Sequence, residues 1–184
     1  MTRLVIPVLA IAALATAMPS AAQAQNQQGG QAPGQQGGQP AAPRPTGIDL
    51  ATARRMMAAT EAAASAANAR VSIAIVDMNG DLVLFQRMDG ASARAVTSSH
   101  GKARAALLFG MPTKAIADAA AAGTPLTATI TQPIAGAWEL TPMQGGLPVP
   151  RDGKVVAAIG VGGAAPAMDE QFAQAGIAAI GSGR

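Results

Sequence analysis

The sequence predicts an α+β domain, an antiparallel sheet flanked by helices, on three observations. Asn79-Gly80 stands between two strand-forming runs, which is the strongest short-range hairpin signal. A second pair of apolar runs flanks the turn Arg151-Asp152-Gly153-Lys154. Alanine-rich helical stretches lie before, between and after these hairpins.

In chain order, residues 1–24 read as a secretory signal: Arg3, an apolar run from Leu4 to Ala17, then Ala22-Gln23-Ala24 as the cleavage site. Residues 25–47 are mostly Gln, Gly, Pro and Ala with Arg44 as the sole charge, too polar to offset the entropy of ordering, and read as a disordered linker. Residues 48–184 remain for one domain with one core.

Within that domain Asp49 caps a first helix, Leu50 to Asn68. Val71 to Val76 and Leu82 to Met88 form the first hairpin, closed by Asp89-Gly90. A second helix runs from about Ser92 to Phe109 and stops at Gly110 and Pro112, and Thr113 caps a short third helix, Lys114 to Ala122. Gly123 to Trp138 is punctuated by Thr, Pro and Gly and reads as irregular. Leu147 to Val149 and Val155 to Val161 are strands, Thr141 to Gln144 is a candidate third, and a last helix spans about Pro166 to Ile180.

Composition narrows the chemistry. The chain of 184 residues has no Cys, no Tyr and one His, so most nucleophile and metal-ligand arrangements are excluded by counting. A pI near 10.2 rests on a net charge of only +3, with basic residues scattered and almost no aromatic residues for base stacking, so nucleic acid is not an expected partner. The apolar run near the start is too short for a membrane span. A periplasmic or secreted protein is expected, with stability supplied by packing or by homo-oligomer formation rather than by disulfides.

Several motifs resemble one family. Arg87-Met88-Asp89-Gly90-Ala91, Gly101-Lys102-Ala103-Arg104-Ala105-Ala106, Phe109-Gly110 with Pro112-Thr113, Gly145-Gly146-Leu147-Pro148-Val149, Asp152-Gly153, Val156 to Gly163, and Asp169-Glu170 with Ala175-Gly176 occur in the order of the GlcG/HbpS-like haem-binding (haem-degrading domain) family. The resemblance spans Leu50 to Ile180. It implies a profilin-like or PAS-like fold, a tendency to homo-oligomers and haem as the cofactor, and the exported location suits the extracellular haem-binding branch.

Haem iron is held by His, Cys, Met or Tyr and two of those four are absent, which leaves His100 or a Met; His100 is the candidate metal ligand and the nine Met residues are weaker alternatives. His100 is not part of the family pattern, and the alternative is a buried histidine bonded to a carbonyl. Lys102 and Arg104 are candidates for haem propionates or another small carboxylate. Their alternatives are a solvated helix face or a subunit contact. About 200° separates His100 from Lys102 around a helix, so one site within a single chain cannot readily use both. Gly101, costly inside a helix, implies close approach by another backbone or a flat ligand.

Other motifs carry bland readings. Asp77-Met78-Asn79-Gly80-Asp81 imitates the start of a calcium loop, but Met88 stands where the bidentate Glu belongs. Ser98-Ser99-His100 places a Ser beside a His on one helix, where the two side chains diverge. The open function classes are an exported haem-binding or haem-responsive protein, an accessory protein or enzyme for a small hydroxy acid or aldehyde, and a ligand-free oligomeric scaffold.

Overall fold

The computed structural model describes residues 47–130 and 138–181. The expected signal segment, and all of the expected linker except its last residue, lie outside the described residues.

Helix α1 (Leu50–Ala66) begins where predicted, with the Asp49 carboxylate accepting from Thr52 N at 2.6 Å. Ala53, Met56 and Met57, Thr60 and Ala64, recurring at steps of three and four, form its buried face. Strands β1 (Ser72–Asp77) and β2 (Leu82–Arg87) form the first hairpin, its turn held by Asp77 Oδ1, which accepts from Asn79 N at 2.8 Å and Asp81 N at 3.0 Å. Asp77 is spent on a turn, as the hairpin reading requires.

Helix α2 (Ala93–Phe109) is capped by Ser92, whose hydroxyl accepts from Ala95 N at 3.2 Å, and is ended by Gly110 in the left-handed region at φ 64°. Helix α3 (Thr113–Ala121) follows without the predicted cap. Its N-cap is Pro112, and the buried Thr113 hydroxyl instead accepts from Gly146 N at 2.8 Å, tying the helix to the sheet. Strands β3 (Gly146–Arg151) and β4 (Lys154–Gly162) and helix α4 (Pro166–Ala178) complete the domain. Residues 141–144 are not a strand. Thr141 packs where a Gly101 Cβ would stand, and the sheet ends at β3.

The sheet is antiparallel in the order β2-β1-β4-β3. Period-two alternation divides its two central strands between two cores. Ile73, Ile75, Ile159 and Val161 face α1 and α4, meeting Met56 and Phe172, whereas Ala74, Val76 and Ala158 face α2, meeting Ala103, Ala106 and Leu107. The α2 side is lined by small residues for a steric reason. A Cβ on Gly160 would run into Ser99 O and Ala103 N, and one on Gly146 into Lys102 O, so the helix backbone lies directly on the sheet.

Candidate functional site

Because α2 lies so close to the sheet, its side chains at the margins of the contact open onto two separate cavities. One, of about 360 Å³, is lined by Leu82 and Phe85 of β2, by Val96, Thr97, His100 and Gly101 of α2, and by Glu139. The other, of about 290 Å³, lies toward the start of α2 and holds Ser92, Arg94, Ser98, Lys102, Met143 and Asp169 among its walls. His100 and Lys102, two residues apart, therefore serve different cavities.

His100 is half-buried, and its buried Nε2 has no hydrogen-bond partner among the described residues. That arrangement is costly and departs from the ordinary buried histidine bonded to a carbonyl. Burial, followed by the nearby Arg104 guanidinium, holds the ring below its ordinary value of 6.5, so it is neutral at physiological pH. The cavity walls beside it, Leu82, Phe85 and Val96, are apolar.

Arg104, one turn further along α2, donates from Nε to Gly80 O at 3.4 Å and lies over the Trp138 ring, 5.3 Å from its centroid. Burial lowers its guanidinium below the ordinary arginine value while Asp81 opposes the change. It brings positive charge to the His100 side of the helix. Trp138 is thereby occupied in packing on the hairpin turn, since a Cβ on Gly80 would overlap its ring.

Lys102 is neither on a solvated face nor near Arg104. It is 2 % exposed, and its Nζ donates to Asp169 Oδ2 at 2.8 Å and to Val161 O at 2.8 Å. The other Asp169 oxygen accepts from Ala164 N at 3.0 Å, reaching back over the start of α4, whose N-cap Ala165 offers no capping side chain. Burial pushes the Asp169 carboxyl above its ordinary range, opposed by the bond from Lys102 and by the amides of Ala164 and Gly163. Gly145, at φ 123°, leaves room for the pair, since a Cβ there would stand 2.8 Å from Lys102 Nζ.

The structure thus brings His100 and Arg104 to one side of α2 and separates Lys102 from both. Lys102 lines the cavity toward the start of α2, whereas Arg104 packs over the Trp138 ring. Ser99 turns its hydroxyl to Val96 O at 3.0 Å and Ser98 lines the opposite cavity, so neither is placed against His100 for nucleophilic chemistry. Among the described residues no group of three or more His, Asp or Glu side chains could hold a metal ion. Asp169, Arg94 and Ser98 were not singled out as site residues from sequence. Lys102 and Asp169 are 67 positions apart, and the only signal was a lysine inside an otherwise small-residue helix turn together with an aspartate in the first turn of the last helix.

Comparison with known proteins agrees with this fold. The sequence profile described as "haem degrading protein HbpS-like" matches residues 48–178. The chain is 34% identical over 130 residues to a 15.0 kDa protein of the dhaT-dhaS intergenic region of Citrobacter freundii, covering 71% of this chain and 89% of that one. It is 37% identical over 109 residues to GlcG of Escherichia coli K12, covering 59% and 76%. A crystal structure of a double mutant of Streptomyces reticuli HbpS superposes with a TM-score of 0.64 at 31% identity, covering 89% of this chain and 99% of that one.

Proposed function

The chain belongs to the HbpS-like family of haem-degrading proteins, and from that membership we propose that it is an exported haem-binding protein whose iron ligand is His100. The observation that carries the proposal is the neutral imidazole of His100, its Nε2 without a hydrogen-bond partner, in a cavity walled by Leu82, Phe85 and Val96. Those residues fit the group. A porphyrin needs an apolar slot on its face and an imidazole on its iron, and Arg104 supplies a cation on the same side for a propionate. Haem would bring a redox-active iron; the chain's own residues bind it, orient it and shield one face from water. Nε2 is covered in this structure, so ligation through it requires the ring to turn outward into the cavity.

The cavity opens past the edge strand β2, where Leu82 is 48% exposed. A second copy of the chain laid along that edge would cover the other face of a flat ligand, which is the role we assign to the expected homo-oligomer; light scattering with and without hemin tests it. Export rests on residues 1–24 alone, and amino-terminal sequencing of the mature protein, expected to start near Gln25, tests that part. Among the described residues no helix is long and apolar enough to cross a membrane.

The deciding experiment is a hemin titration of the apo-protein followed by absorbance. A saturable Soret shift is expected in the native protein, and His100→Ala is expected to lose it or to weaken binding at least about tenfold. A His100→Ala variant that binds hemin with an unchanged spectrum and affinity refutes the ligand assignment.

A further inference from the structure

We propose that the cavity beside Lys102 and Asp169, on the other side of α2 from His100, is a second binding site built for a small carboxylate carrying one negative charge. Lys102 is the first reason. A lysine ammonium has three donors, and among the described residues two of those on Lys102 are met, by Asp169 Oδ2 and by Val161 O, each at 2.8 Å. A 2 % exposed ammonium that forms part of a cavity wall with one N–H unanswered is an incomplete hydrogen-bond set, and an acceptor in the cavity completes it.

Charge and shape select the ligand class. Arg94 stands exposed on the rim and Ser98 is half-buried in the wall between it and Lys102 along α2. Two cations against one carboxylate leave a single positive charge, which suits a monoanion. A dianion such as phosphate would meet the Asp169 carboxylate uncompensated, and a metal cation would meet the Lys102 ammonium. The starts of α2 and α4 both open on the cavity, through Ser92 and Ala95 and through Ala164 and Pro166, so the positive ends of two helix dipoles favour an anion there, although the amides of Ala95 and Ala164 are already bonded to Ser92 and Asp169. A 2-hydroxy acid fits the polar inventory best, its carboxylate taking Lys102 and Arg94 and its hydroxyl taking Ser98.

The test uses the full chain with lactate, acetate, phosphate and chloride at matched ionic strength, read by thermal shift and by amide chemical-shift changes. Lactate is expected to raise the melting temperature saturably and to move the amides of Ser98 and Ala164. Arg94→Ala, which removes an exposed side chain, is expected to keep the fold and weaken lactate binding about tenfold or more, the loss of one charge-assisted contact. No lactate response, an Arg94→Ala variant that responds like the native protein, or phosphate stabilising as well as lactate, each overturns the proposal. Because the hemin titration reads a different cavity, failure here leaves the His100 assignment standing.

Discussion

At the scale of single residues, the strongest constraint in the molecule is the ion pair between Lys102 and Asp169, with side chains 3% and 2% exposed. Such a pair adds little net stability over a well-packed apolar pair, but breaking it from one side strands a buried charge. Lys102→Met is therefore expected to cost about 3–5 kcal/mol, seen as a lower urea midpoint at unchanged slope. Asp169→Asn strands the Lys102 ammonium in the same way and is expected to cost a similar amount. A loss below about 1 kcal/mol in either variant would show that the stranded charge is not what costs. Sequence reading reached Lys102 but not this role, because a helix wheel shows only that it points away from His100, and its partner arrives from an element far along the chain. For His100 the wheel sufficed to separate it from Lys102; the missing partner of Nε2 is a fact of three dimensions.

At the scale of elements, the seating of α2 decides where both cavities lie. Small residues recur on the sheet face beneath it, Ala158, Gly160 and Gly162 on β4 with Ala74 on β1, so the helix backbone approaches the strands directly and its longer side chains leave sideways. Gly160→Ala is expected to lose about 1–3 kcal/mol, because the added carbon meets helix backbone that cannot step aside. Chemical unfolding checks it, and a neutral or stabilised variant would mean that α2 can ride up without cost. The alternation of small residues along β4 was visible in the sequence, yet a Gly-Val-Gly-Gly run reads equally as a strand end. Hairpins and helices with their own local signals, Asn79-Gly80, Asp49, Ser92 and Gly110, were legible. Thr113 and Thr141 were not, because each is bound by tertiary contact, with Gly146 and against Gly101, rather than by neighbours in sequence.

At the scale of the whole molecule, the antiparallel sheet with helices on both faces follows from the alternation of strand residues between two cores, and the same arrangement makes α2 a partition. Its edges differ. β3 carries Pro148 and Pro150, which blunt an outer strand against pairing, while β2 carries neither and borders the His100 cavity. The two cavities have no lining residue in common, and the α2 backbone between them is fixed against the sheet. Ligands in separate sites on a rigid partition should act additively. Hemin and lactate together are expected to raise the melting temperature by close to the sum of their separate effects, with His100→Ala removing only the hemin part and Arg94→Ala only the lactate part. Mutual exclusion, with lactate competing for hemin in the native protein, would mean that haem reaches both sides of α2, and the division of the molecule into two sites would be wrong.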